Sequence, residues 1–276
     1  MTTPSSNTAP DSALPDDTRQ PAPHRRLEGL TILAAEDCRV NQMVLEEMLS
    51  AEGAHVEMAE NGREVVDRLR QCGADRFDLV LMDIQMPVMD GFEAARQLHA
   101  LVPGLPIIGQ SAYAMAEDRA KCLAAHMVDH ITKPFDRDLL VLCILRHVRP
   151  GGPPLPVAAT QQEPGSAVDP WGELASRYAR NPAFVDQLLN VFLISNSGLP
   201  NQLRQALSRQ DTRALAGLTH GLKGMAGSIA AHELQTLSQS AEQAAKLDAP
   251  ELAQCIVELA ARLEQTLEQI RHRITL

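Results

Sequence analysis

The sequence predicts an α/β domain with a five-stranded parallel sheet, followed by an all-α helical bundle. Three observations carry this. Between Leu27 and Arg149, short apolar runs alternate five times with segments of helical period, the pattern of a parallel sheet covered by helices on both faces. Residues 149–170 hold six prolines and three glycines, a linker composition. From Trp171 onward no strand signal remains, and apolar residues recur at spacings of three and four, as in a helical bundle.

Thr31 to Ala35 is the first strand, ending at Glu36 and Asp37. Val40, Met43, Val44 and Met48 follow helical spacing, and Gly53 closes that helix. His55 to Ala59 is the second strand, and Asn61-Gly62 turns into a helix carrying Val65, Val66 and Leu69. Leu79 to Met82 is a continuous apolar run, the mark of a strand buried on both faces, and it ends in Asp83. Pro87 and Asp90-Gly91 then impose a loop and a turn. The next helix sets Phe92, Ala95, Leu98 and Leu101 on one side. Pro106 to Gln110 is the fourth strand, ending at Ser111, and a helix follows over 116–125. His130 to Lys133 is the fifth strand, and Asp136 caps a helix over 137–148. In the second half, helices begin at Asn181-Pro182, at Pro200 and after Asp211, and Ala249-Pro250 separates two long final ones.

Composition bounds the function. From Leu27 to Arg149 there are 12 basic and 20 acidic side chains, net −8, and from Trp171 to Leu276 there are 10 of each. No basic stripe exists, so no nucleic-acid partner is expected. Five scattered cysteines without a C-x-x-C pair read as free thiols in a reducing cytoplasm. The first 26 residues lack an apolar signal region and read as a disordered tail. No run approaches ~20 apolar residues, so no membrane insertion is expected and the chain reads as cytoplasmic.

Parallel strands bring their carboxyl ends to one edge, where ligands bind in open α/β sheets. Glu36, Asp37, Asp83, Ser111 and Lys133 all fall at strand ends and should converge there. A single strand-end carboxylate is usually a cap or turn residue; five polar groups at successive strand ends are not explained that way. Three crowded carboxylates are unfavourable unless a cation shares them, and hard oxygen ligands point to Mg²⁺. Asp83 would then be a nucleophile on phosphorus, Lys133 would neutralise charge on the phosphoryl oxygens, and Ser111 would donate to one of them.

In the second half, the helix after Asp211 carries a core stripe of Leu215, Leu218, Leu222, Met225 and Ile229. Another face carries Ala216, Gly217, His220, Lys223, Gly224 and Gly227. A glycine inside a helix costs about 1 kcal/mol against alanine, so something is expected to approach this face closely. An imidazole among small residues with one ammonium suits a phosphoryl group, where an ordinary exposed histidine would need no such surroundings.

Ile32-Leu33 with Glu36-Asp37, Asn41-Gln42, the run MDIQMPVMDG from Met82 to Gly91, Ser111-Ala112 and Lys133 to Phe135 together resemble the receiver domain of two-component signalling, of the type attached to hybrid histidine kinases. The resemblance implies a flavodoxin-like sheet in the order 2-1-3-4-5. It implies Asp83 as phospho-acceptor, Glu36 and Asp37 as metal-site acids completed by the Gln85 carbonyl, and Lys133 as phosphoryl clamp. Thr219 to Gly224, with Gly227 and Ile229, is similar to the histidine phosphotransfer (HPt) motif, which implies His220 as the phosphorylated residue and Lys223 as its neighbour. Several positions depart from the family patterns. His130 replaces the usual Tyr or Phe of the switch, His126 and Ala230 stand where glycine is common, and Cys38 stands where Asn is common. Tyr113 occupies a position that is often Asn, where it should hinder an in-line water.

The resulting expectation is a tail (1–26), a receiver (27–149), a linker (150–170) and an HPt bundle (171–276), acting as a phosphorelay protein. A sensor histidine kinase and other receiver or HPt domains would be the partners. Fully extended, the linker reaches roughly 60 Å, enough for His220 to meet Asp83 within one chain. No ATP-binding glycine-rich segment of a kinase and no DNA-binding module is found. The chain could equally act as the receiver–HPt portion of a larger hybrid kinase. An aspartate-nucleophile phosphohydrolase would carry a second Asp two residues after the first, and Gln85 stands there instead. A non-phosphorylated scaffold would not need the acceptor set.

Overall fold

The computed structural model describes residues 25–111, 116–148 and 171–275. Most of the expected tail, Tyr113 and the linker therefore lie outside the described residues. The α/β domain runs β1 (Thr31–Ala35), α1 (Arg39–Ala51), β2 (His55–Ala59), α2 (Gly62–Cys72), β3 (Leu79–Asp83), α3 (Gly91–Leu101), β4 (Ile107–Ser111), α4 (Ala116–Ala124), β5 (Asp129–Thr132) and α5 (Arg137–Val148). All pairings are parallel and the strand order is β2-β1-β3-β4-β5.

Alternation along the central strands separates two apolar layers. Ile32, Leu79 and Leu81 point to the layer with α1 and α5, while Leu33, Val80 and Met82 point to the layer with α2 and α3. β3 is buried at all five positions, which explains the continuous apolar run of its first four residues, Leu79 to Met82. Arg26 is already part of the domain: it pairs with Glu52 at 2.6 Å and Asp138 at 2.8 Å. The turn residues act as caps. Asn61 accepts from Glu64 N, Asp90 from Glu93 N and Asp136 from Leu139 N. Leu101 departs from the expected apolar face: it is 44% exposed, because α3 ends there and the chain turns away at Val102. β5 starts at Asp129, so Lys133 lies just beyond its end, where its N–H donates to Ser111 O at 2.7 Å.

Two departures from the family pattern have a backbone meaning. His126 and Ala230 have φ of 66° and 57°, the left-handed region that glycine enters without penalty. Cys38 stands at the N-cap of α1 and makes no side-chain cap bond, which an Asn could make.

The second domain is all-helical among its described residues: α6 (Gly172–Arg177), α7 (Pro182–Asn196), α8 (Leu199–Ser208), α9 (Thr212–Ser228), α10 (His232–Leu247) and α11 (Leu252–Thr275). The short α6 has too few residues for a periodic signal. Leu188, Leu222, Ala241 and Leu259 belong to an apolar core continuous with the α1/α5 layer of the first domain. α7 and α9 pack on α1. In α9, Leu215, Leu222 and Ile229 are buried as the periodicity requires, but Leu218 and Met225 are only half-buried. Thr219, Lys223 and Ala226 take the inner positions instead.

Candidate functional site

The carboxyl ends of β1, β3 and β5 meet in one crevice. Glu36 follows β1, Asp83 ends β3, and Lys133 follows β5 with a cis peptide to Pro134. The Lys133 ammonium donates to Glu36 Oε2 at 2.5 Å and to Asp83 Oδ2 at 2.6 Å. Glu36 is fully buried, and it also accepts from Asn41 Nδ2 at 2.9 Å. Gln42 Nε2 donates to the Glu36 carbonyl at 2.7 Å, holding the strand end in place. Gln85 N–H donates to Asp83 Oδ1 at 3.2 Å. Gly91 is required here: a Cβ on it would lie 2.1 Å from the Asp83 carbonyl oxygen.

Burial, reinforced by Asp83, pushes the Glu36 carboxyl up to about 7, although Lys133 opposes the shift. Partial desolvation and the Asp83 charge raise the Asp37 carboxyl as well. Burial works against the Lys133 ammonium, yet Glu36 and Asp83 outweigh it and hold that pKa above its ordinary value. Ligand oxygens of Glu36, Asp37 and Asp83 lie within 4.8 Å of one another. Such spacing, with hard oxygen donors, fits one octahedral divalent cation with water completing its shell. Ser111, at the end of β4, lies 2.6 Å through its Oγ from His130 Nε2. The hydroxyl and the histidine that replaces the usual aromatic switch residue are thus in contact.

On the second domain, His220 sits on α9 with a side chain 25% exposed. Its Nδ1 lies 2.9 Å from Glu242 Oε1 of α10. Lys223 is not displayed beside His220 as its sequence position suggests. Its side chain is buried, and its ammonium donates to Glu242 Oε2 at 2.8 Å. Burial lowers the Lys223 pKa, with Glu242 acting against the shift. Lys246 donates to Glu242 Oε1 at 2.7 Å. The fully buried Glu242 was not singled out from the sequence. A signal exists, since Glu242 lies on the apolar stripe Leu234, Ser238, Ala241, Ala245 of α10.

The two halves of the site are docked. Ser228 Oγ at the end of α9 donates to Asn41 Oδ1 at 2.7 Å, and Asn181 Nδ2 donates to Glu47 Oε1 at 3.1 Å. Two glycines of α9, Gly224 and Gly227, lie against the first domain. A Cβ on Gly224 would lie 3.3 Å from Asn41 Nδ2, and one on Gly227 would lie 3.3 Å from Pro134 Cβ. An imidazolium at His220 would act on the Asp37 carboxyl against its upward shift. Gly217 has open space around it.

An acidic strand-end crevice bridged by a lysine, docked beside a histidine-bearing helical bundle, defines a protein of the phosphorelay class. Residues 32–145 match the family model of the response regulator receiver domain, and residues 187–273 match that of the Hpt domain. This chain belongs to the two-component phosphorelay proteins, with a receiver domain followed by an Hpt domain. Over 222 residues it is 31% identical to the signal transduction histidine-protein kinase BarA of Shigella flexneri, covering 78% of this chain and 24% of that one. Over 237 residues it is 29% identical to the sensor protein GacS of Pseudomonas syringae, covering 83% and 26%. The chain thus spans about a quarter of the length of these relatives. A solved receiver domain of the Pseudomonas aeruginosa sensor kinase PA1611, with magnesium in its active-site cleft, is 38% identical, covering 44% of this chain and 98% of that one, with a TM-score of 0.40. Among the described residues, no helix is long and apolar enough to cross a membrane.

Proposed function

We propose that this chain relays a phosphoryl group between Asp83 and His220, taking it from or passing it to a histidine kinase or another receiver or HPt domain. The observation that carries this reading is the docking of α9 on α1 through Ser228 and Asn41, which sets the helix that carries His220 against a side chain bonded to the acidic crevice. Glu242 prepares the imidazole. A carboxylate held by two ammonium groups only accepts, so Nδ1 carries the proton and Nε2 keeps its lone pair for phosphorus. In transfer to the receiver, the Nε2–P bond breaks as a bond from an Asp83 carboxylate oxygen to phosphorus forms in line. Lys133 leaves its ion pair with Asp83 to hold a phosphoryl oxygen, and Ser111 donates to another. The carboxylates of Glu36, Asp37 and Asp83, with the Gln85 carbonyl, would hold Mg²⁺, which when bound neutralises charge on the transferring group. The alignment with sensor kinases favours a second setting, in which the same receiver–HPt segment works as part of such a kinase. The chemistry within this chain is the same in both.

The test is labelling from acetyl phosphate or from a cognate kinase. Label should enter Asp83 first and then appear on His220 as an acid-labile, base-stable phosphate. Asp83→Asn should abolish both signals, and His220→Gln should leave the Asp83 signal intact. Label reaching His220 in Asp83→Asn from the same donor would separate the two sites into different pathways.

A further inference from the structure

A second set of metal-ligating side chains lies at the amino ends of β4 and β5, the pole of the sheet opposite Asp83. Asp129 opens β5, and Cys143 and His147 stand four residues apart on one face of α5. Both converge on the same oxygen: His147 Nε2 lies 3.1 Å and Cys143 Sγ 3.6 Å from Asp129 Oδ2. Ligand atoms of the three residues all fall within 4.8 Å of one another. The other oxygen of Asp129 accepts from His130 N–H at 2.9 Å, which fixes the carboxylate as an outer-shell bond fixes a metal ligand. His147 also lines a cleft of about 380 Å³ together with His99 and His126, whose rings stack with centroids 3.9 Å apart. The cleft opens onto His147, the partly exposed member of the cluster.

Hydrogen bonding alone would make this cluster a tie between α5 and β5. Such a tie needs one partner for Asp129 and does not need a thiol in the same space. The geometry points to a site for a borderline-soft divalent cation of the zinc class, held by Asp129, Cys143 and His147, with water in the fourth position. Carboxylate, thiolate and imidazole are the donor set that selects such an ion over the hard cation suited to the Asp83 crevice. On binding, the Cys143 thiol releases its proton to solvent and the metal–sulfur bond takes its place. Two negative ligands then balance a doubly charged ion. Arg119 and Arg146, which lie 3.7 and 4.0 Å from Asp129, are about half exposed and are free to turn into solvent.

Cobalt(II) reports on this site, because thiolate ligation gives a charge-transfer absorption that oxygen ligation in the Asp83 crevice does not. The full-length chain with Asp37→Asn and Asp83→Asn, fully reduced, should bind one equivalent with that band, and zinc(II) should displace it. Cys143→Ser should remove the band, and His147→Gln should weaken binding about tenfold or more. Cys38→Ser should change neither. As a second measurement, zinc(II) should raise the melting temperature of the parent and not that of the folded, partly exposed His147→Gln variant. A band that survives Cys143→Ser, equal affinity in His147→Gln, or no band in the parent would overturn the assignment.

Discussion

Ser228 and Asn41 are joined across the two domains by a 2.7 Å hydrogen bond, and the amide of the same Asn41 donates to Glu36 in the acidic crevice. One side chain therefore touches both the receiver chemistry and the helix that carries His220. Ser228→Ala removes a buried bond worth about 0.5–1.5 kcal/mol and leaves Asn41 Oδ1 without its interdomain donor in the docked form. Transfer from Asp83 to His220 in the same chain should slow by roughly two- to tenfold, while initial labelling of Asp83 stays unchanged. Rapid-quench labelling separates the two steps. Equal transfer rates in both proteins would show that this contact does not govern docking.

Glu242 should matter for both folding and reactivity. In Glu242→Ala, the buried Lys223 loses the Glu242 carboxylate, and breaking a buried pair in this way costs about 3–5 kcal/mol. Glu242→Gln keeps the shape and one acceptor but loses the charge. It should melt between the parent and the alanine variant, and it should phosphorylate His220 about tenfold more slowly or worse. Normal phosphorylation in a folded Glu242→Gln would remove Glu242 from any role in orienting the imidazole.

Much of this architecture is local and therefore legible in the sequence. The apolar run Leu79–Met82 of β3, the caps Asn61, Asp90 and Asp136, and the strand-end positions of Glu36, Asp83 and Lys133 follow from a few neighbouring residues. The rest depends on long-range partners. Lys223 reads as a neighbour of His220 on a small-residue face, but the fold turns it inward to Glu242, 19 residues away. Ser228 and Asn41 are 187 residues apart, and nothing near either one marks the pairing. The left-handed backbone at His126 and Ala230 is hidden because neither residue advertises it.

Gly91→Ala tests the turn behind Asp83. Its Cβ would press against backbone, 2.1 Å from Asp83 O and 3.0 Å from Ile84 Cα, so the strand end must shift. A loss of about 1–3 kcal/mol or more in stability is expected, together with slower labelling of Asp83. A variant that melts and labels like the parent would mean that this close approach relaxes freely.

Metal dependence follows from the three carboxylates. Asp83 labelling should require Mg²⁺, and Asp37→Asn should weaken Mg²⁺ binding in calorimetry, because a neutral amide is a poor ligand for a hard cation. Undiminished labelling in EDTA would contradict the proposed site.

The last prediction concerns pH and the metal-free protein. The Glu36 carboxyl is raised from 4.5 to about 7 in the fold, chiefly by burial. A carboxyl raised in this way binds its proton more tightly folded than unfolded. Its contribution to stability is therefore fully present below the unfolded pKa, near 4.5, and is lost as pH rises through about 7. The loss is of order a few kcal/mol. Glu52, Asp129 and Glu173, whose pKa values are lowered, act in the opposite sense at lower pH, so the comparison must be made against a variant. Glu36→Gln removes this titration alone. Without metal, the parent should lose stability relative to Glu36→Gln between about pH 5 and pH 8. Added Mg²⁺ should reverse that loss in the parent, because the ion favours the ionised carboxylates. Denaturant melts of both proteins across this range provide the check. Parallel pH profiles for the two would mean that Glu36 is ionised throughout, with Lys133 alone sufficient to hold its charge.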